Sequence, residues 1–512
     1  MASRTVGEIM SSPAVTANPS DTVADAAGRM NDHKVGSVVV VDGTRPIGIL
    51  TERDLIRFAS AGADPTATKV SEWMTEEPHA VTPATEVIEA WNTLLEKGYR
   101  HIPVVEAGEL RGIVTMRDLT KIAQIQPVTH PGHLEAPKGL EGVIVAETKV
   151  GDVRGLEGFY HYRQYNAVEL AQKRPLEDVW ALLFDGALPG SDLARAAFKA
   201  EIRPLRLVPD EVKAIMPNIA HAGGHFVPLD ALRTAVSAVA AAGDYRFSTE
   251  IDHQTLRANA MQICAVIPTL IMSLYRLHQG LEPIDPPPDL GYGANYLYMM
   301  TGDEPDPDLA RAVEQYQIST IDHGFNASTF TSRVITSTGA DLGSAVVGGI
   351  GALSGPLHGG APSKALALLE AIGSEDNARP YITKAVESGE RMMGFGHRVY
   401  KTDDPRSVLL HEVAGRIRAA KLPFAEMVEK TVVEVLAELK PGRNLYANVE
   451  FYAGVVMDHC GLPPELFTPT FASSRVIGWC ANILEQAADN RIIRPSATYV
   501  GPPPPQPVPE LS

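Results

Sequence analysis

The sequence predicts a multidomain protein, with an N-terminal α/β module made of two copies of one unit and then a larger, mainly all-α domain. Three observations predict it. At 512 residues the chain exceeds what one ordinary hydrophobic core organises, so two or more domains are expected. Residues 1 to about 125 repeat themselves at a fixed offset. From residue 139 to about 500, strands are few, and apolar residues recur at helical spacing with Gly and Pro punctuation.

The duplication shows in two pairs of segments. Val6-Gly7-Glu8-Ile9-Met10 echoes Val70-Ser71-Glu72-Trp73-Met74, and Gly48-Ile49-Leu50-Thr51-Glu52-Arg53-Asp54-Leu55 echoes Gly112-Ile113-Val114-Thr115-Met116-Arg117-Asp118-Leu119. Met10 and Met74 are 64 positions apart, as are Asp54 and Asp118. Each copy reads as a short strand, a helix, a strand pair and a second helix. Ser37 to Val41 and His101 to Val105 are short apolar runs, as buried strands are. Thr51-x-x-Asp54 and Thr115-x-x-Asp118 are capping patterns for a helix start, and capping needs no ligand. The pattern resembles a pair of CBS motifs. That resemblance implies one packed module with clefts for adenosine-containing ligands. Asp54 and Asp118 would bind ribose hydroxyls, Thr51 and Thr115 would lie near phosphate, and backbone around Thr16 and Thr82 would flank the base. No catalytic constellation occurs here, so a sensing or assembly role is expected.

Charge and composition narrow the partners. Forty-five basic against 62 acidic residues give a net charge of -17, which argues against a nucleic-acid or anionic-membrane partner. The first residues lack the apolar core of a secretory signal and no uninterrupted spanning segment is expected, so the reading is cytoplasmic. The small-apolar run Ser344 to Leu357 reads as a buried helix. Cys264, Cys460 and Cys480 have no C-x-x-C spacing, so neither a disulfide framework nor a zinc site is suggested.

Residues 126–138 are polar, carry several prolines and read as a linker. The next domain opens at Gly139. Asp230 to Val239 and Pro362 to Leu369 have helical periodicity, the second with proline in a first turn and Gly373 past its end. The Pro-rich tail 501–512 is expected to be extended or disordered.

Several side chains in this domain carry chemistry. In Gly394-Phe395-Gly396-His397-Arg398-Val399-Tyr400-Lys401-Thr402-Asp403-Asp404-Pro405-Arg406, the glycines permit close backbone approach to a ligand. The histidine can polarise a carbonyl, and the closing arginine offers a planar fork to a carboxylate. Leu357-His358-Gly359-Gly360-Ala361 lies upstream and Asn448-Val449-Glu450-Phe451-Tyr452 downstream. Each residue also has a plain structural reading. Glu450 follows the N-cap Asn448, where the helix dipole favours any carboxylate. His358 is a polar junction between two helices. His323 shares a helical face with Ala327, Phe330 and Val334, as a satisfied core histidine would. Arg475 falls on a stripe with Phe471, Trp479 and Ile483, and a buried arginine needs an anion.

Taken together, these segments resemble the citrate synthase family, whose signatures are L-H-G-G-A, G-F-G-H-x-V-Y-K-x-x-D-P-R and N-V-D-F-Y. The resemblance covers residues 139 to about 500 and implies a nearly all-α, two-lobed fold that closes over substrate in an obligate homodimer. It implies condensation of acetyl-CoA with oxaloacetate and hydrolysis of citryl-CoA, without a prosthetic group. Glu450 would be the base, and His358 and His397 would polarise the thioester and ketone. His323, Arg406, Arg475 and Arg494 would bind the oxo acid, Arg494 across the dimer. Gly394, Phe395 and Gly396 would cradle coenzyme A. An adenine nucleotide at the CBS pair would regulate the enzyme. The sequence departs from the pattern at Glu450, where the family has aspartate, at Val227-Pro228-Leu229-Asp230 for H-P-M-D, and at Tyr162-Arg163-Gln164-Tyr165-Asn166 for Y-R-G-Y-D. Three rivals stay open: a 2-methylcitrate synthase using propionyl-CoA, a nucleotide sensor with an inactive synthase half, and a metal site at His323, His358, His397 and Glu450. The last lacks a tight H-x-x-x-H spacing.

Overall fold

The structure, a computed structural model, describes residues 5–97, 99–116, 118, 136–140, 142–358, 361–390, 392–396, 400, 402–440, 446–497, 500–502, 505–506 and 508. The chain divides into two compact units, Met1–Val143 and Ile144–Ser512. Residues 119–135, which hold most of the expected linker, lie outside the described residues.

In the N-terminal unit the first copy runs β1 (Thr16–Ala17), α1 (Val23–His33), β2 (Ser37–Asp42), β3 (Arg45–Thr51) and α2 (Glu52–Ala61). Thr22 and Asp25 form a capping box that starts α1. Strand β2 pairs parallel with β1 and antiparallel with β3, and β4 (Thr75–Glu76) adds to the far edge of β3. The second copy supplies α3 (Val87–Lys97), β5 (His101–Glu106) and β6 (Glu109–Thr115), its opening strand reduced to one bridge, Val81 to Val104. The ladder shifts register between Val40 and Val41 and again between Val104 and Val105, so the repeat extends to its bulges.

The two copies complete each other. Val6, from the lead-in of the first copy, is buried with Val81, Ala90, Leu94, Ile102, Val104 and Val114 of the second. Val70, from the lead-in of the second, is buried with Ala17, Ala26, Met30, Val38, Val40 and Leu50 of the first. The methionines follow suit. A Cβ at Gly48 would lie 2.3 Å from Met74 Sδ, and one at Gly112 would lie 2.9 Å from Met10 Sδ. Neither copy's core is full without an arm from the other, so the pair forms one module.

The larger unit begins with a small antiparallel sheet, β7 (Gly151–Arg154), β8 (Phe159–Tyr162) and β9 (Tyr165–Asn166). Among the described residues sixteen α-helices follow, from Ala167–Lys173 to Phe467–Ala488. The sequence expectation of a mainly helical domain is met. Asp230 to Val239 lies within Pro228–Ala242, and the Pro362 segment within Ala361–Ile372, which Gly373 ends at φ +72°. The apolar run at Ser344 forms Leu342–Leu353, a buried helix that stops short of the exposed Leu357. One expectation needs amendment. The helix His253–His278 is long and apolar enough to span a bilayer, but 78% of its most apolar window is buried within this unit, which accounts for its composition without lipid.

If the arms are exchanged in this way, a cavity made in one lead-in should loosen the other copy. Val70→Ala is expected to lower amide-exchange protection in β2 and β3 while β5 and β6 keep theirs, as read by hydrogen exchange with mass spectrometry.

Candidate active site

The site is built around the 22-residue helix Phe467–Ala488. Its Phe471, Arg475, Trp479, Ile483 stripe faces inward as the spacing predicts, with Arg475 only 1% exposed. Arg475 Nε donates to the carbonyl of Thr320 at 2.7 Å, and its guanidinium lies 4.5 Å from the Phe471 ring centre. Among the described residues no carboxylate pairs with it and its Nη atoms have no acceptor. Burial pulls its pKa down to about 10, against the attraction of Asp322. One turn along, a Cβ at Gly478 would come 2.1 Å from the Ile321 carbonyl oxygen, so glycine lets the helix press onto Ile321-Asp322-His323.

That pressed segment corrects one expectation. His323 is not on a helix, because the next helix, Ala327–Ser337, starts only after its N-cap Asn326. It lies in the preceding turn, which Gly324 takes through at φ +59°. Its Nε2 is 3.0 Å from the Tyr400 hydroxyl, and its ring is tilted against Tyr160. The shared face with Ala327, Phe330 and Val334 does not arise.

Arg406 is also buried, but its own loop holds it. Nε reaches Asp404 Oδ1 at 3.0 Å and Nη2 reaches Oδ2 at 2.7 Å. Burial opposes the charge on Arg406, and Asp404 outweighs burial, so its proton is held more tightly than usual. Asp404 Oδ2 also accepts from Val449 N at 3.1 Å, which ties the loop to the first turn of Val449–His459. This first turn carries Glu450. Its N-cap Asn448 accepts from Glu450 N at 3.0 Å, as the sequence predicts. Asn448 further donates Nδ2 to the Gly396 carbonyl at 3.0 Å and its backbone N to the Gly394 carbonyl at 2.9 Å. Gly394 and Gly396 have φ of +85° and +81°, and a Cβ at Gly394 would lie 3.0 Å from Phe451. The Phe395 ring packs tilted against Phe451, their centres 4.9 Å apart. The glycine loop is therefore docked on the Glu450 helix. His397, the next residue, lies outside the described residues.

His358 follows the turn after Leu342–Leu353. Its Nε2 is 2.8 Å from Ser328 Oγ, which receives a bond from Trp479 Nε1 at 3.0 Å and lies 2.8 Å from Asn326 Oδ1. Burial, and then the charge of Arg475, lower its pKa to about 4. The ring is neutral at neutral pH. Tyr316, on the helix Pro307–Thr320, feels Glu450, Arg475 and Arg406 together, and its buried hydroxyl has no partner among the described residues. His323, His358, Arg406, Arg475 and Glu450, spread over 153 positions from His323 to Arg475, thus converge on one buried region bordered by the Gly394–Gly396 loop. Arg494 is exposed past the end of the long helix, and no contact among the described residues joins it to this cluster. Ser328, Asp322, Asp404 and Tyr400 belong to the cluster without having been singled out in the sequence, although Asp404 and Tyr400 lie within the quoted Gly394–Arg406 stretch. Trp479 was read as stripe only.

In the N-terminal unit, Thr51 Oγ1 donates to Asp54 Oδ2 at 2.7 Å, and Thr115 Oγ1 to Asp118 Oδ2 at 2.7 Å. The capping reading is realised in both copies. Asp54 also meets Arg57 at 3.1 Å. The Thr16 carbonyl accepts from Arg29 at 2.8 Å, and Thr82 is exposed beside Thr85.

Gly478→Ala should be severe, because the atom it strikes is backbone. We expect a cooperative thermal transition lowered by several degrees or aggregation on expression, measured by calorimetry against wild type.

Comparison with known proteins follows the same division of the chain. The citrate synthase, C-terminal domain family matches residues 139–496, and the CBS domain family matches 6–61 and 70–124. A citrate synthase of Deinococcus radiodurans is 37% identical over 366 residues, 71% of this chain and 95% of that protein. One of Haloferax volcanii is 38% identical over 373 residues, 72% of this chain and 96% of that protein. The crystal structure of citrate synthase from Thermotoga maritima superposes with a TM-score of 0.64 at 36% identity, covering 73% of this chain and 98% of its own. A Thermoplasma acidophilum citrate synthase, solved in a ternary complex with carboxymethyl coenzyme A and oxaloacetate, gives a TM-score of 0.67 at 28% identity, covering 73% of this chain and 98% of its own. The protein therefore belongs to the citrate synthase family of acyltransferases and carries a CBS-domain pair ahead of its synthase domain.

Proposed function

We propose that the protein condenses acetyl-CoA with oxaloacetate and hydrolyses the resulting citryl thioester to citrate and coenzyme A. The observation that carries this reading is Arg475, a buried guanidinium whose terminal nitrogens no side chain claims among the described residues, next to a neutral histidine and a carboxylate on a helix start. Such a guanidinium is a ready receptor for an oxo acid's carboxylate.

In the reaction, Glu450 removes a proton from the thioester methyl group. A neutral His358 hydrogen-bonds the thioester oxygen, which becomes an enol oxygen. The enol carbon attacks the ketone of oxaloacetate, and His397 delivers a proton to the ketone oxygen. Arg475 and Arg406 hold the carboxylates with His323, and Arg494 from a second subunit completes the grip in a homodimer. Main-chain groups of Gly394, Phe395 and Gly396 line the coenzyme A path. Closure over the bound substrates keeps water from the enol until hydrolysis. The CBS pair, with Asp54 and Asp118 at its clefts, biases that closure when an adenine nucleotide binds the two states unequally. A cytoplasmic setting suits these substrates.

A thiol-release assay tests the reading. Free coenzyme A should appear from acetyl-CoA only when oxaloacetate is present, and faster than from propionyl-CoA; the reverse preference would make the enzyme a 2-methylcitrate synthase. Glu450→Gln should lower kcat on the order of 10²–10⁴-fold with little change in KM for oxaloacetate. An unchanged kcat removes Glu450 as the base.

A further inference from the structure

Asp322 is 2% exposed and sits against the long helix between two of its side chains. Gly478 presses on the backbone of Ile321, Arg475 lies one turn before and Asn482 one turn after. Asp322 faces the guanidinium of Arg475 but does not pair with it. Its oxygens are taken instead by Asn482 Nδ2 on Oδ1 at 3.3 Å and by Gly324 N on Oδ2 at 3.1 Å. The amide of Asn482 cannot turn round freely, because its Oδ1 accepts from Arg333 Nη1 at 2.9 Å, and Arg333 is itself held by Glu485 at 2.7 Å. The contrast with the other arginine is sharp. Arg406 is gripped in two places by Asp404, whereas Arg475 has a counter-charge at a distance and terminal nitrogens without an acceptor among the described residues.

We propose that Asp322 is a positioning residue of the oxo-acid site: it balances the buried charge of Arg475 without occupying it, and it takes up one proton from solvent when a dicarboxylate docks on Arg475. Arg333 and Asn482 hold the Asp322 carboxylate off the guanidinium. This rests on reading Arg475 as the carboxylate receptor.

The charge balance explains the proton. In the free protein two opposite buried charges offset one another. An incoming carboxylate takes over Arg475, and the ionised Asp322 is left facing a second anion in a poorly solvated site. The groups facing it are Arg475 and Asn482 from the long helix, and Tyr162 of β8, whose hydroxyl accepts from Asp322 N at 3.4 Å. Gly151 of β7 also packs there, and His323 is next in the chain. Burial pushes Asp322 up to about 6 and keeps Tyr162 un-ionised, so a modest further push reaches neutral pH. For the sign, the free state loses this proton at a lower pH than the bound state. Affinity is therefore greatest at the acid end and falls as pH rises through about 6 and beyond.

Calorimetric titration of the intact protein with oxaloacetate, at one pH near neutrality in buffers of different ionisation enthalpy, counts the protons. Wild type should take up a large fraction of one proton per site, and its Kd should rise with pH. Asp322→Asn should abolish most of that uptake and flatten the pH profile. Absence of uptake in wild type, or unchanged uptake in Asp322→Asn, overturns the proposal. Should Asp322→Asn fail to fold, Asn482→Leu keeps the carboxylate and removes a donor that favours its ionised form. The pH range of uptake must then move upward, and an unmoved range is equally fatal. Arg475→Gln separates the two readings. Wild-type affinity in that variant sinks the receptor assignment itself, whereas lost affinity there with normal uptake in Asp322→Asn sinks only the role of Asp322.

Discussion

A guanidinium sealed inside a helical core has to be matched by negative charge, and the synthase domain is arranged around how Arg475 meets that need. Desolvation of such a group costs several kcal/mol unless it is paired or hydrogen-bonded. One carbonyl, one aromatic face and one non-contacting carboxylate supply part of the compensation. The remainder is left open, which is what a binding site for an anion requires. Gly478 makes the arrangement possible, since any side chain there would separate the helix from the turn that bears Asp322 and His323.

The same dry environment treats each ionisable group according to its sign and neighbours. It keeps His358 neutral, so the ring can donate a hydrogen bond to a developing enolate without first losing a proton, and it weakens the ionised form of Asp322. Arg406 stays firmly charged because Asp404 is in contact with it. Asp404 meanwhile reaches the helix that carries Glu450, so the arginine proposed to bind substrate and the proposed base share one support. This carboxylate joins the loop to that helix alongside Asn448 and Phe395.

The N-terminal module shows a different economy. Each copy lends its lead-in segment to the core of the other, so each core is completed by its partner copy. Asp54 already caps α2, and Asp118 accepts the same bond from Thr115 N. A ligand that used these carboxylates would compete with, or reinforce, these very bonds. Either outcome alters the rigidity of the module, which is the property a regulatory domain has available to change.

Much of this was legible in the chain alone. The 64-residue offset, the caps at Asn448, Thr51 and Thr115, and the inward stripe of Arg475 are local patterns, fixed by residues within a few turns of one another. Motif resemblance added the roles proposed for Glu450, His358 and His397. Local patterns failed where the chain's distant parts decide. Helical spacing put His323 on a helix face, but Gly324 and the N-cap Asn326 delay that helix. Ser328 met Trp479 and His358 only because three separate helical segments collide there. The distance between Asp322 and Arg475 and the exchanged arms follow from long-range packing, whereas the clamp of Asp404 on Arg406 spans only two positions. The sequence by itself determined which segments form helices and which residue types can do the chemistry, because propensity and periodicity act over short range. Only tertiary structure decided which charges are paired, which are left open and which are desolvated, because burial depends on partners such as Arg333 and Gln486, 153 positions apart, or Thr320 and Arg475, 155 apart.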